Sequence, residues 1–243
     1  MVTLASGQTV TVNANGTLTI AGTADTGTFN FTYSVQNEDG VSDTGFVILN
    51  AVPCFVAGTL LRTAEGERPV ETLRPGDMVM TKDEGPRPLR WVGTREVAAQ
   101  DKFAPIRIAA GTFGARRDLW LSPEHRIVLR DVLAELMFGE AEVLVAAKHL
   151  VNDRTVRRIP GGRVTYVHVM FDRHQLVYAE GIETESFLPG PQTTRSFAPE
   201  TLAEIRALFP ELDPMTGQGY GPAARPALYG REARLLMQRR RVA

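Results

Sequence analysis

The sequence has one cysteine in 243 residues, Cys54, and this scarcity excludes any internal disulfide. The lone thiol fits a reducing compartment, and it fits equally a secreted protein that keeps one thiol for use. The sequence also lacks an apolar run long enough to span a membrane. Its N-terminus lacks the basic patch and apolar core of a secretory signal. Two locations stay open: the cytoplasm, and the cell surface or exterior by a route without a cleaved N-terminal signal.

Neither sign of charge is in excess, because the chain has 27 lysines and arginines and 28 aspartates and glutamates. A net charge of -1 therefore predicts no nucleic-acid partner and no attraction to anionic membranes. The composition, 43% hydrophobic and 23% charged, is that of an ordinary globular protein, and the length suits one large or two small domains.

Residues 1–53 contain no lysine or arginine and are rich in threonine, valine, glycine and asparagine. Four segments are predicted to be strands: 9–12, 17–20, 28–35 and 44–49. The first two flank Asn15-Gly16, a pair that accepts positive φ, and this arrangement predicts a β-hairpin. The pattern is similar to part of a bacterial cadherin-like or immunoglobulin-like repeat, which implies a β-sandwich fragment. Asp39 and Asp43 are interpreted as solvated turn residues rather than calcium ligands.

Residues 54–190 carry more charge and proline, and turn signals interrupt short apolar runs every eight to twelve residues or so, the rhythm of an all-β fold. Strands are predicted at 59–63, 78–82, 89–97, 105–109, 119–121, 126–130, 142–146, 164–171 and 175–179. Residues 191–243 form a C-terminal extension with helices predicted at 199–208, between two prolines, and at 227–240. The arginines at its end are interpreted as a solvated tail.

Three sequence blocks succeed one another in the middle segment. They are Cys54-Phe55-x-x-Gly58-Thr59 continuing to Val70-Glu71-x-Leu73-x-x-Gly76-Asp77-x-Val79, then Leu121-Ser122-Pro123-Glu124-His125-Arg126, then 166–186 with His174, Gly181 and Ile182. In this order and spacing they resemble the Hint domain, the fold shared by hedgehog autoprocessing domains and inteins. The ending Gly-Ile-x-Thr-Glu-Ser is similar to that of short bacterial Hint families. The resemblance implies a pseudo-two-fold all-β fold over 54–190.

The resemblance also implies self-processing chemistry. The thiol of Cys54 would attack the carbonyl of Pro53, in an N-to-S acyl shift that replaces the peptide bond with a thioester. His125 would give a proton to the leaving nitrogen, and Ser122 would hydrogen-bond near the same carbonyl or orient His125. A turn-making role alone also explains Ser122. The upstream segment is the substrate, and water, a thiol or an amine accepts it. No metal or cofactor is needed.

The remaining candidates carry open alternatives. His174 lies where many inteins have a closing-block histidine, so it would activate the thiol or polarise the bond. His168 sits beside the place of an acidic residue in inteins, which in strict alignment is Val167, and it shares a strand face with Tyr166 and Met170, so packing alone also explains it. His149 is interpreted as structural.

Full splicing is not expected, because the places of the intein His-Asn pair hold Glu185 and Ser186. Without the asparagine there is no side chain to cyclise and cut the second bond. Ser186 stays a further candidate acceptor. Three hypotheses follow: a single-turnover self-cleaving domain, an inactive Hint scaffold that serves as an interaction module, and a cysteine hydrolase acting on other molecules.

Overall fold

The structure is a computed structural model that describes residues 53–190, 199–213 and 217–240, together with five strands within the first fifty residues. The chain divides into two compact units, residues 1–50 and 51–243, and each is described by itself. The predicted all-β class is confirmed: the described residues form mainly strands, in four sheets, with four short α-helices. No helix among these residues is long and apolar enough to cross a lipid bilayer.

The strands are β1 (Val2–Thr3), β2 (Thr9–Val12), β3 (Leu18–Ala21), β4 (Phe29–Gln36), β5 (Ser42–Leu49), β6 (Phe55–Val56), β7 (Leu60–Thr63), β8 (Gly66–Pro69), β9 (Met78–Thr81), β10 (Gly85–Pro88), β11 (Trp91–Ala98), β12 (Ile106–Ile108), β13 (Leu119–Leu121), β14 (Arg126–Arg130), β15 (Glu142–Ala146), β16 (Val156–Arg158), β17 (Arg163–Met170), β18 (Leu176–Ala179), β19 (Ile182–Glu185) and β20 (Ala227–Leu228). The helices are α1 (Val132–Phe138), α2 (Ala147–Leu150), α3 (Pro199–Leu208) and α4 (Gly230–Arg240).

The first unit contains two small antiparallel sheets. One has the order β1-β2-β3, and the other is the β4–β5 pair. The predicted hairpin is present, with Val10 opposite Ile20. The predicted turn at Asn15-Gly16 and the side chains of Asp39 and Asp43 lie outside what the structure describes.

The second unit is built on a six-stranded sheet, β11-β17-β6-β13-β12-β16, and a nine-stranded sheet that runs from β10 to β20. Buried apolar side chains of both sheets form one core; among them are Phe55, Leu121 and Val167 from the first sheet and Leu61, Val79, Ile127 and Val177 from the second. Burial of apolar area of this kind is the main stabilising contribution to such a fold.

The nine predicted strands of this unit are all present within two residues or so of their predicted ends. Six short strands were not predicted: β6, β8, β10, β16, β19 and β20. Two of these, β8 and β10, contain glycine and proline, which favour a turn in a sequence-based prediction. They are hairpin partners of β7 and β9, and proline is tolerated at sheet edges because an edge strand leaves some amide positions unpaired.

In the C-terminal extension, α3 matches the predicted helix at 199–208. The prediction of one helix over 227–240 is wrong at its start, because residues 227–228 form β20, which pairs in parallel with β15. The helix begins only at Gly230, after a capping hydrogen bond from the Tyr229 amide to the Glu232 carboxylate at 2.9 Å. The tertiary contact with β15 decides this boundary.

Candidate functional site

Cys54 lies directly before β6, a two-residue strand held between two longer neighbours in the six-stranded sheet. Phe55 pairs with Val167 of β17 on one side and with Leu121 of β13 on the other. The Cys54 side chain is 3% exposed. The sheet therefore fixes the backbone of the cysteine in the interior of the domain.

Ser122 forms hydrogen bonds with both the backbone amide and the backbone carbonyl of Cys54. Its side-chain Oγ accepts a hydrogen bond from the Cys54 amide at 2.9 Å, and its own amide donates to the Cys54 carbonyl at 2.9 Å. This reciprocal pair follows from the position of Ser122, one residue beyond the end of β13. The hydroxyl that the sequence analysis assigned to the site lies at the nitrogen that would become the leaving group.

The imidazole of His168 bridges the thiol and the carbonyl that precedes it. Its Nε2 lies 3.4 Å from Cys54 Sγ, and its Nδ1 lies 3.0 Å from the carbonyl oxygen of Pro53. A carbonyl only accepts, so Nδ1 must carry the hydrogen, and Nε2 of the neutral ring is then a lone pair directed at the thiol. Burial lowers the pKa of His168 to about 4, against the weaker opposing effect of the Pro53 hydrogen bond, so the ring is neutral near pH 7.

Strand alternation explains why His168, rather than Val167, faces the cysteine. Tyr166 and Met170 pack in one cluster with Cys54, whereas Val167 packs in the main core. The His168 ring is further fixed by aromatic neighbours, because it stacks on Trp91 at 6.2 Å between centroids and meets Phe187 edge-on at 5.6 Å.

His125 is buried against the cysteine segment. Its ring lies 4.4 Å from that of Phe55, and neither ring nitrogen has a hydrogen-bond partner of normal geometry among the described residues. Burial lowers the pKa of His125 to about 4, while the charge of Glu185 and the nearby backbone of Cys54 act in the opposite direction. The structure thus holds a neutral imidazole against the backbone of Cys54.

The contacts of His174 lie elsewhere than the sequence analysis expected. Its Nδ1 accepts a hydrogen bond from the Ala224 amide at 2.9 Å, and its Nε2 lies 3.4 Å from a Glu185 carboxylate oxygen. Burial alone raises the pKa of Glu185, but the hydrogen bond from His174 and the charge of Arg126 outweigh it and lower that pKa. His174 therefore connects the C-terminal extension to the ionised carboxylate of Glu185. The negative charge of Glu185 in turn raises the pKa of His125.

Ser186 likewise makes local contacts. Its Oγ accepts a hydrogen bond from the Gln175 amide at 2.9 Å, its own amide donates to the Gln175 carbonyl at 2.8 Å, and the residue is 1% exposed. These bonds tie the hydroxyl to the β18–β19 hairpin rather than to Cys54.

The thiol of Cys54 is protonated at rest. Burial raises its pKa well above the ordinary range of a cysteine, and a hydrogen bond from Ser122 and the charge of Arg95 offset this in part. The thiolate, which is the attacking form, has to be generated during the reaction by a neighbouring base.

A small cavity of about 10 Å³ adjoins the thiol, close to the least that holds one water molecule. Two of its lining side chains, Arg95 and Lys102, were missed by sequence reasoning. Arg95 lies on the face of β11 that also carries Trp91 and Val97, so the alternation of the strand could have indicated it. Lys102 lies in a three-residue 3-10 helix, Asp101–Phe103, for which the sequence gave no signal. Within the described residues, no group of three or more His, Cys, Asp or Glu side chains is arranged to hold a metal ion.

The chain matches one protein family and is similar to several solved structures. The profile of the Hint domain family matches residues 53–191. Among solved structures, the chain is similar to the gp41-1 intein (12% identity, TM-score 0.34, covering 54% of this chain and 97% of that one) and to a class 3 split intein, AceL NrdHF (15%, 0.37, 55% and 97%). It is also similar to a bacterial intein-like domain from Clostridium thermocellum (18%, 0.34, 55% and 97%).

A search of the curated proteins gives no match. The family profile spans more than half of the chain and begins one residue before the buried cysteine. On that match, this chain belongs to the Hint domain family.

Proposed function

We propose that the chain is a single-turnover, intein-like autoprocessing domain that cleaves or transfers its own upstream segment at the Pro53–Cys54 bond. Membership of the Hint domain family supports autoprocessing at the level of the family. The observation that carries the specific reaction is the His168 ring, which contacts both the attacking sulfur and the oxygen of the attacked carbonyl.

In the first step, His168 Nε2 takes the thiol proton as Sγ bonds to the Pro53 carbonyl carbon. Negative charge develops on the carbonyl oxygen, where the Nδ1–H of the same ring already donates. The imidazolium that forms is thus stabilised by the oxyanion that it helps to create, which compensates for the low resting pKa of His168. Attacker and target belong to adjacent residues, so proximity lowers the barrier further.

In the second step, the bond between the Pro53 carbon and the Cys54 nitrogen breaks, and that nitrogen must gain a proton. The Ser122 hydroxyl lies 2.9 Å from it and holds its existing N–H in place. His125, buried beside the Cys54 backbone, is the proton donor that the family resemblance implies. Its neutral ring gives its N–H proton to the nitrogen and takes up at its other ring nitrogen the proton that His168 removed from the thiol, so both histidines end neutral. The products are a thioester at Cys54 and a free amine, and water, a thiol or an amine then takes the acyl group.

Full splicing is not part of the proposal. Glu185 and Ser186 stand where inteins place His-Asn, and the contacts of Ser186 hold its hydroxyl on the β18–β19 hairpin. The chain downstream of this point also adds β20 to the nine-stranded sheet. We therefore propose that cleavage releases the upstream segment, which contains the proposed cadherin-like fragment. Residues 54–243 then remain one chain.

A second candidate function is an inactive Hint scaffold that acts as an interaction module. The observation that favours it is the burial-raised pKa of Cys54, which keeps the thiol protonated at rest. Hydrolysis of other molecules has less support, because a cavity of about 10 Å³ does not admit a peptide or an ester.

The test is incubation of the purified full chain with and without hydroxylamine or a thiol, followed by intact mass measurement. Autoprocessing predicts two fragments, residues 1–53 and 54–243, whose appearance accelerates with the added nucleophile. Cys54→Ala should abolish them. His149→Asn is the matched control, because His149 lies in α2, outside the contacts described for the cysteine, and this variant should cleave normally. A folded chain that stays whole with hydroxylamine would select the scaffold.

A further inference from the structure

Glu185 is a buried ionisable residue that takes no part in the two proposed steps. It ends β19, and its side chain is 0% exposed. Burial raises the pKa of its carboxyl, but the hydrogen bond from His174 and the charge of Arg126 outweigh that effect, so the carboxylate is ionised. A charge in the interior costs free energy unless close partners compensate it, and here two side chains do so.

Sheet pairing places this carboxylate next to His125. Ile127 of β14 pairs with Thr184 of β19. Glu185 therefore lies beside Arg126, the residue that follows His125. Its Oε1 accepts a hydrogen bond from the Arg126 amide at 2.9 Å, and its Oε2 accepts one from Arg126 Nη1 at 3.1 Å. The peptide group that joins His125 to Arg126 is thus bonded directly to the carboxylate.

The charge of Glu185 also acts on the His125 ring. Burial lowers the pKa of His125 to about 4, and Glu185 has the largest effect in the opposite direction, followed by the backbone of Cys54. The charge of Arg126, and that of His174 when it is protonated, add to the lowering. The carboxylate therefore favours the protonated form of a ring that is neutral at rest.

We infer that Glu185 is a positioning residue of the proposed reaction, whose carboxylate fixes the segment that carries His125 and stabilises this ring while it is positively charged. The inference rests on the proposed function and deepens it, because it adds a group that acts on the reaction through His125. Inteins place a histidine at this position of the closing block, so the role belongs to the glutamate of this chain.

The positive charge on His125 arises during proton transfer to the Cys54 nitrogen. The ring takes up at one nitrogen the proton that His168 removed from the thiol, and His168 becomes neutral again. It then gives the proton of its other nitrogen to the Cys54 nitrogen, as the bond from that nitrogen to the Pro53 carbon breaks. Between the two transfers the buried ring carries one positive charge, which is costly without a counter-charge. Glu185 supplies the counter-charge and neither gains nor loses a proton.

The experiment is a double-variant cycle on cleavage of the full chain by a saturating concentration of hydroxylamine. Glu185→Gln removes the charge and keeps an acceptor oxygen for the Arg126 amide. It should slow cleavage about tenfold or more, because a nearby opposite charge shifts a pKa by about 1–3 units. In the His125→Asn background the same change should have little further effect, since Glu185 acts through that ring. A purely structural role would slow both backgrounds by the same factor.

Two further variants separate charge from fold. Glu185→Asp keeps the negative charge one methylene further away, so its rate should lie between those of Glu185→Gln and the wild type. If Glu185→Gln does not fold, the cycle is run with Glu185→Asp, which should slow the native chain and leave the His125→Asn chain unchanged. Glu183→Gln is the matched control, because Glu183 lies on the same strand but forms ion pairs with Lys82 and Arg130, and it should cleave at the wild-type rate.

The titration of the His125 ring gives a readout that does not depend on cleavage. It is followed by NMR in a Cys54→Ala chain, where the His125 signal is the one that His125→Asn removes. At pH 4 about half of these rings should be protonated. With Glu185→Gln added the ring should be almost entirely neutral at the same pH, whereas Glu183→Gln should leave its titration unchanged.

A wild-type rate in Glu185→Gln, equal slowing in the two backgrounds, or an unchanged His125 titration would overturn the inference. Cleavage of the wild-type chain together with any of these results leaves the proposed function standing. A folded wild-type chain that hydroxylamine does not cleave refutes the proposed function, and the role of Glu185 in it is refuted at the same time.

Discussion

Replacement of His168 tests whether one ring serves as both base and hydrogen-bond donor. In His168→Asn, the side-chain amide is short enough to lie near the former Nδ1 position and donate to the Pro53 carbonyl. It has no basic lone pair for the thiol, which sits 3.4 Å from Nε2 in the native site. In His168→Leu, both the base and the donor, 3.0 Å from the oxygen, are lost.

The size of each effect follows from the role assigned to each nitrogen. A positioned general base contributes about 10²–10⁴ in rate, so His168→Asn should cleave about 10²–10⁴ times more slowly. One donor to a developing oxyanion contributes about 10²–10³, so His168→Leu should be slower again by roughly that factor.

The assay follows release of the upstream fragment by mass, at a hydroxylamine concentration where the rate no longer rises with concentration. The acyl shift is then the step observed. Circular dichroism and thermal unfolding check that each variant keeps its fold, and His149→Asn is the histidine control. A His168→Asn chain that cleaves at the wild-type rate would refute the role of this ring as base. Equal rates for the Asn and Leu variants would refute the role of Nδ1 as donor.

Three further predictions concern the surroundings of the thiol. Ser122→Ala leaves a buried amide N–H without its acceptor, so it should destabilise the fold by about 1–3 kcal/mol and slow cleavage, and Ser122→Thr should restore both. His174→Leu should destabilise the fold by a similar amount, about 1–3 kcal/mol, through the lost Ala224 bond, but slow cleavage less than tenfold; urea unfolding and fragment release measure the two effects. Burial holds the pKa of His125 and of His168 near 4 in the folded chain, against an unperturbed value of 6.5. Between pH 4 and pH 6.5 the unfolded chain therefore binds more protons than the folded chain. The free energy of unfolding should therefore fall by about 1.4 kcal/mol per pH unit per histidine as the pH drops from 6.5 to 4, and denaturant titrations across this range should show a smaller slope once His168 is replaced.

Much of the fold could be predicted because its signals are local. Strands such as β14 and β15 show β-branched apolar runs between turn residues, and α3 lies between two prolines. The boundary at β20 could not be predicted, since Ala227-Leu228 becomes a strand only through pairing with β15. A strand of two residues is too short to show a hydrophobic alternation in the sequence.

The candidate site, like the fold, has a part that the sequence predicts and a part that it does not. The sequence by itself determined that one thiol lies at a junction of composition, that the Ser-Pro-Glu-His block follows at a Hint-like spacing, and that no asparagine is available to complete splicing. These are statements about which groups are present, and a linear sequence contains them in full.

Only the tertiary structure decided which groups meet. It turned His168 towards Cys54 and Val167 into the core, because successive residues of a strand face opposite sides of the sheet. It placed His174 against Ala224 and brought two cations to one cavity wall. Contacts between residues a hundred positions apart depend on sheet order and register, and those are set by the packing of the whole domain rather than by any segment within it.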